Sequence, residues 1–165
     1  MIHVLCVQDN SNYFRIHGLD LWTKERNAYN FRGSGKIIAH PPCQQWSKLY
    51  KFAKDNPEEK GLAPFCWDLV KKHGGIFEHP EGSQFIKLIR KDTAARFYRF
   101  DQSWFGFPAK KSTILAFVDC YPATYKALGF VSRKVSSLHS HDRSKMTLEF
   151  CQFLVNSIQP EIDSL

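Results

Sequence analysis

The sequence predicts an α/β fold, a single three-layer sandwich in which helices cover both faces of a mostly parallel sheet. Short apolar segments with strand character alternate with amphipathic helical segments, the pattern of strands joined by helical crossovers. The length of 165 residues and the 43% share of hydrophobic residues suit one domain, residues 1–165, with a core of its own.

Five segments have the β-branched and apolar composition of buried strands. Turn-forming residues or prolines stop three of them: the cluster Gln8–Asn12 after the first, Pro41 and Pro42 after the third, and Pro80 after the fourth. The predicted strands are Ile2–Val7, Gly18–Trp22, Lys36–Ala39, Gly75–Glu78 and Thr113–Val118.

A helix is predicted to begin near Asn56. Asn56 suits the N-cap, Pro57 the first helical position and Glu59 the capping box, and Gly74 ends the segment. We expect Pro64 to kink this helix or to delay its start. Its apolar face consists of Leu62, Phe65, Cys66, Leu69 and Val70.

Two further segments contain helix signals. A last helix is predicted from about Thr147 to Ile158, with capping as the expected role of Thr147. Residues that favour helices also follow the second strand, from Thr23 to Tyr29.

Basic residues outnumber acidic ones by 23 to 16, and the excess is concentrated in one stretch. Between Phe85 and Lys111, seven Lys and Arg residues stand against Asp92 and Asp101 only, and aromatic residues are interleaved with them. Such a surface suits phosphates and stacked bases, so we expect a nucleic-acid partner. The alternative is a solvated basic face over an aromatic core.

Composition argues against several other classes of protein. Five cysteines without Cys-x-x-Cys spacing favour free thiols in a reducing compartment, the cytoplasm, over a zinc ribbon or a disulfide framework. His139 and His141 lack a third ligand nearby, so no metal is expected. No apolar run approaches the ~20 residues that span a bilayer, so no membrane association is expected.

The residues that follow the third and fourth predicted strands have catalytic potential. Cys43 comes after Pro41 and Pro42, and Glu78 comes before Pro80. Because ligands bind outside the carboxyl ends of parallel strands, we expect this thiol and this carboxylate to lie at the same end of the sheet. A thiol and a carboxylate there suit a nucleophile and an acid.

Three motifs in order resemble DNA cytosine-5 methyltransferases. Pro42-Cys43-Gln44 is similar to their Pro-Cys loop, Phe77–Pro80 to their Glu-Asn strand end, and Trp104–Lys111 to the motif before their last strand. The match covers about three-quarters of the chain. The motifs also resemble short phage and prophage proteins with His-Pro-Pro-Cys and Glu-His-Pro. This resemblance implies the cytoplasm of a bacterium or of a phage-infected cell.

The resemblance implies a methyltransferase-type, Rossmann-like sheet and a covalent mechanism. In it Cys43 adds to carbon 6 of a pyrimidine, and Glu78, with a pKa raised by burial, donates a proton to ring nitrogen 3. Lys110 and Lys111 occupy the region of the family's Arg pair, near the flipped nucleotide.

The resemblance also implies S-adenosylmethionine as the cofactor. The predicted cofactor contacts are Asp9, Asp20 and Glu25, and the predicted nucleic-acid contacts are Trp46, Arg96, Arg99 and Trp104. The chain departs from the family after its first strand, where it has no glycine before Gly18. Asn10 and Asn12 are the residues expected to adopt left-handed conformations there instead.

Three functions follow from these observations. The first is a minimal base-modifying enzyme that acts through Cys43 and Glu78 on a pyrimidine in nucleic acid. The second is an enzyme that uses the same two groups on a free nucleotide or a nucleotide-like signal. The third is a catalytically degenerate protein that binds nucleic acid.

Overall fold

A six-stranded mixed sheet forms the centre of the protein. The structure is a computed structural model that describes residues 1–47 and 54–159, so the end of the predicted domain at residue 165 lies outside it. The strands are β1 (Ile2–Val7), β2 (Leu19–Thr23), β3 (Lys36–Ala39), β4 (Gly75–Pro80), β5 (Arg96–Asp101) and β6 (Ser112–Val118). The helices are α1 (Pro57–His73), α2 (Gln84–Ile89), α3 (Ser140–Arg143) and α4 (Leu148–Ile158). The chain is therefore an α/β protein.

The strand order is β2-β1-β3-β4-β6-β5. Strands β2, β1, β3 and β4 are parallel, whereas β6 runs antiparallel to both β4 and β5. Pro80 at the end of β4 pairs with Thr113 near the start of β6. The carboxyl ends of β3 and β4 therefore meet the first residues of β6 at one end of the sheet.

All five predicted strands are present, with ends shifted by no more than two residues. The prediction lacks β5, an edge strand, because Arg96 and Arg99 within it read as part of a basic surface. The helix formers from Thr23 to Tyr29 do not form an α-helix. A 3-10 turn, Ala28–Asn30, lies there instead, and the side chain of Asn27 caps it.

Helix α1 begins as predicted. The side-chain oxygen of Asn56 accepts a hydrogen bond from the amide of Glu59 at 3.1 Å. The helix starts at Pro57 and continues through Pro64, so the expected delay does not occur. Its fully buried residues are Ala63, Cys66, Trp67 and Val70.

Two apolar clusters lie on opposite faces of the sheet, because neighbouring residues of a strand point to opposite faces. In β3, Ile38 belongs to one cluster and Ile37 to the other. Helix α4 covers the first face, and α1 and α2 cover the second. Each fully buried aliphatic or aromatic side chain of these clusters contributes about 1.5–3 kcal/mol. In the described ranges, no helix is long and apolar enough to cross a membrane.

Candidate functional site

A cavity of about 680 Å³ lies at the end of the sheet where β3 and β4 finish, and we call it the strand-end cavity. Residues that follow β1 and β3, residues at the end of β4, residues that precede β6, and several residues between Leu138 and Thr147 line it. Cys43, Glu78 and Lys111 are among them. The structure thus brings three of the four predicted catalytic residues to one cavity.

Cys43 opens the 3-10 turn Gln44–Trp46 directly after the two prolines and is half-buried. Burial raises the pKa of its thiol, and the negative charge of Glu78 raises it further. Cys43 is therefore a protonated thiol in the free protein at neutral pH. A base must take its proton before the sulfur can attack carbon.

Glu78 is a carboxylate fixed by hydrogen bonds. Its side chain is 12% exposed, His40 Nδ1 lies 3.1 Å from Oε2, and the Thr113 hydroxyl donates to Oε1. Burial raises the pKa of Glu78, but the hydrogen bond and charge of His40, the Thr113 hydroxyl and the charge of Lys111 outweigh it and lower the pKa to about 2. The expected raised pKa is therefore wrong for the free protein.

His40 connects Glu78 to a buried tyrosine. The hydroxyl of Tyr13, which has no exposed surface, lies 2.9 Å from His40 Nε2. Because an ionised carboxylate only accepts hydrogen bonds, Nδ1 of His40 donates to Glu78. Burial raises the pKa of Tyr13, so its hydroxyl stays protonated. Neither residue is among the predicted site residues. The position of His40 directly after β3 could have indicated its role, whereas no sequence pattern marks Tyr13.

His79 fixes the loop that leads to Cys43. Its Nε2 lies 3.1 Å from the carbonyl oxygen of Pro41, and its Nδ1 lies 2.7 Å from the hydroxyl oxygen of Ser83. Since the carbonyl can only accept, Nε2 donates to it, and Nδ1 of the neutral ring accepts from Ser83. Burial lowers the pKa of His79, which favours this neutral form. His79 is therefore a positioning residue.

The two lysines predicted as a pair lie in different places. Lys111 lines the strand-end cavity, its Nζ donates to the Lys145 carbonyl oxygen at 2.8 Å, and burial lowers its pKa. Lys110 is exposed, does not line the cavity, and its amide donates to the Arg133 carbonyl oxygen at 2.8 Å. Lys111 alone of the pair can act on a ligand in the cavity.

Of the three predicted cofactor residues, only Asp9 lines one of the two cavities described here. Asp20 lies within β2, and Glu25 is exposed in the turn that follows it. Asp9 lines a second cavity of about 770 Å³ next to the ends of β1 and β2. Three side chains bond to Asp20, namely His3, Trp22 and Arg26.

The chain after β1 turns without glycine. A 3-10 turn, Asn12–Arg15, takes the place of the glycine loop and helix of the resembled family. The expectation for Asn10 and Asn12 is wrong, because neither has a positive φ; Cys6 does, at 61°. Asn12 instead donates to the Met146 carbonyl oxygen at 2.8 Å. These residues do not fit S-adenosylmethionine in the way that the family binds it.

The four predicted nucleic-acid contacts lie outside the strand-end cavity. None of Trp46, Arg96, Arg99 and Trp104 lines the strand-end cavity. Arg99 is paired with Glu81 at 3.0 Å, and the indole of Trp46 donates to a main-chain carbonyl of α1. The role of these four residues in nucleic-acid binding stays a prediction.

Comparison with known proteins adds no relative. The chain matches no protein-family model, and no curated protein matches it significantly. Among the residues that the structure describes, no group of three or more His, Cys, Asp or Glu side chains is arranged to hold a metal ion.

Proposed function

We propose that the protein is an enzyme that modifies a pyrimidine base of nucleic acid through a covalent bond between Cys43 and ring carbon 6. The observation that carries this proposal is the convergence of a thiol, a carboxylate and a lysine in one cavity. A protein that only binds nucleic acid does not need a cysteine beside a buried, hydrogen-bonded carboxylate.

In the proposed first step, with cytosine as the base, an electron pair of the Cys43 sulfur forms a bond to carbon 6. The C5=C6 π pair moves to C4–C5, and the C4=N3 pair moves onto nitrogen 3. Glu78 accepts the proton of the thiol and donates it to nitrogen 3, so no external acid is consumed. The raised pKa of Cys43 and the lowered pKa of Glu78 define the starting state of this transfer.

His40 and Lys111 support this step from two sides. The hydrogen bond from His40 keeps the Glu78 carboxylate oriented, and Tyr13 holds the opposite nitrogen of the His40 ring. Lys111 supplies a positive charge in the cavity for a phosphate or a ring oxygen. His40 and Tyr13 are positioning residues in this scheme.

The addition makes carbon 5 of the base nucleophilic. Carbon 5 then takes an electrophile, and its own hydrogen leaves as a proton to water while the C5=C6 bond forms again and the Cys43 sulfur is expelled. The proton on nitrogen 3 returns through Glu78 to the Cys43 thiolate, which restores the ring and the thiol. When water is the only source of an electrophile, the result is exchange of the C5 hydrogen. Since the residues after β1 do not fit S-adenosylmethionine in the family's way, the proposal includes no methyl donor.

The strand arrangement supports a relationship to the methyltransferase scaffold, a three-layer Rossmann-like sandwich. Strands β2, β1, β3 and β4 form a parallel run, as a methyltransferase-type sheet requires, and β6 lies antiparallel between β4 and β5. Apolar clusters that include helices on both faces of the sheet agree with the same scaffold.

The test is deuterium uptake at carbon 5 of cytosine in an oligonucleotide in D₂O, followed by mass spectrometry. We expect uptake with the natural protein and none with Cys43→Ala, because no adduct can form. Cys120→Ala, a buried cysteine outside the cavity lining, is the matched control and should retain uptake. The proposal fails if Cys43→Ala exchanges as fast as the natural protein. Nucleic-acid binding without any exchange would instead indicate a binding protein.

A free nucleotide is the second candidate substrate. The cavity volume of about 680 Å³ is within the ~300–1,000 Å³ typical of small-molecule sites. The same exchange assay with deoxycytidine monophosphate and with a cytosine oligonucleotide separates the two. Exchange on the mononucleotide alone would assign the site to a free nucleotide.

A further inference from the structure

The chain between β6 and the 3-10 turn Val135–Ser137 contains residues 121–134, which we call the strap. It contains no helix or strand of its own. Two main-chain hydrogen bonds hold it against the segment before β6, from the Leu128 amide to the Trp104 carbonyl and from the Lys110 amide to the Arg133 carbonyl, both at 2.8 Å. The strap is therefore a fixed surface feature.

The strap presents aromatic side chains that pack against Trp104 and Phe105. The ring of Tyr125 stacks on Trp104, with centroids 6.3 Å apart and planes 6° apart, and it also packs against Phe105 in the core. Phe130 lies edge-on to Trp104 and is 82% exposed. Tyr121 is exposed as well, and the guanidinium of Arg96 lies 4.6 Å from its ring centre.

The strap also has an excess of positive charge. The strap has three basic residues and no acidic residue, and Lys110 lies beside it. In the described part of the chain, no carboxylate forms an ion pair with any of these four. The four are Lys110, Lys126, Arg133 and Lys134.

We propose that the strap binds single-stranded nucleic acid, with an unpaired base on Phe130 and the backbone along the four cations. Aromatic rings with a positive border are the usual means of single-strand binding. The bases of a duplex are covered by their neighbours, so an exposed ring finds a partner only on an unpaired base. Lys110 precedes Lys111, and the chain continues from the strap to Leu138, so the strand is led to the strand-end cavity. Only the path of the strand into the strand-end cavity rests on the proposed function; binding to the strap does not.

The test is fluorescence anisotropy with a labelled oligodeoxycytidine. Phe130→Ala should weaken binding by about 5- to 100-fold, the loss of one stacked base. Lys126→Ala and Lys134→Ala should each reduce the salt slope of binding by about 0.7. Leu88→Ala on α2 is the control, because Leu88 is 68% exposed on the other face of the sheet. It should bind as the natural protein does.

Two outcomes would overturn the inference. One is an unchanged affinity of Phe130→Ala. The other is equal loss of polyglutamate and oligonucleotide binding in Phe130→Ala, which would indicate an acidic protein partner. If Phe130→Ala weakens oligonucleotide binding but the natural protein shows no C5 exchange, the inference holds and the proposed function fails. C5 exchange on an oligonucleotide together with an unchanged affinity of Phe130→Ala removes the inference and keeps the proposed function.

Discussion

Two histidine–carboxylate pairs in this protein have similar geometry and different surroundings. His3 Nδ1 lies 2.8 Å from Asp20 Oδ2, and His40 Nδ1 lies 3.1 Å from Glu78 Oε2. Burial raises the pKa of each carboxyl group, yet their hydrogen bonds and neighbouring charges lower both pKa values to about 2. A lowered pKa beside a histidine is therefore not enough to identify a reactive carboxylate.

The Asp20 pair is complete without a ligand. Trp22 and Arg26 each donate to the Asp20 carboxylate at 2.7 Å, and His3 Nε2 lies 2.8 Å from the Ser34 carbonyl oxygen. Asp20 lines neither of the two cavities described above. The pair joins β1 to β2, so its role is structural.

The Glu78 pair faces a cavity. Cys43 and Lys111 line the same cavity, so a ligand there can reach a nucleophile and a carboxylate together. A catalytic carboxylate therefore differs from a structural one by the free space and the nucleophile beside it, not by its histidine partner. Because the two pairs are otherwise similar, a variant of Asp20 is a matched control for each variant of Glu78.

The largest expected effect is on the rate of C5 exchange. Glu78→Gln should reduce it by about 10²–10⁴-fold, because an amide cannot relay the proton from Cys43 to nitrogen 3. Asp20→Asn should leave the rate unchanged. Deuterium uptake at matched protein concentrations measures both, after circular dichroism has shown that both variants fold. Equal losses in the two variants would mean that both pairs act through stability alone.

The next effect is on acid stability, where the two pairs should behave alike. Both carboxyl pKa values are lowered from ordinary values of 3.8 and 4.5 to about 2, so each ionised group stabilises the fold above those ordinary values. That stability is lost as pH falls through about 2. Urea unfolding at a series of pH values should show a flatter acid limb in Asp20→Asn and in Glu78→Gln. If the free energy of unfolding of either variant falls as steeply with acid pH as that of the natural protein, the carboxylate concerned does not stabilise the fold through its ion pair.

The smallest effect concerns the outer partners of the two pairs. Tyr13→Phe removes the hydrogen bond to His40 and should lower the free energy of unfolding by about 0.5–1.5 kcal/mol. It should also slow C5 exchange without weakening oligonucleotide binding, since Tyr13 only orients His40. Trp22→Phe removes a donor to Asp20 and should lower stability but leave the exchange rate intact. A slowed exchange in Trp22→Phe would contradict the distinction between the pairs.

How far the sequence predicts this protein depends on how local each signal is. The cap of α1 is readable because Asn56 and Glu59 are three residues apart, and Cys43 and Glu78 are readable because parallel strands end together. The hydrogen bonds from Tyr13 to His40 and from His40 to Glu78 join residues that are 27 and 38 positions apart in the sequence. No local sequence pattern predicts such contacts. Without those partners, burial alone suggested the wrong direction for the pKa of Glu78.

The two apolar clusters also differ in when they can form. Every residue of the cluster beneath α1 and α2 lies at or before Val118, whereas the other cluster includes Phe150, Phe153 and Leu154 of α4. During synthesis from the N-terminus, α1 and α2 can cover their face of the sheet first. The opposite face stays exposed to solvent until α4 has been synthesised. Until α4 leaves the ribosome, the nascent chain therefore exposes an apolar sheet face that chaperones and other nascent chains can bind.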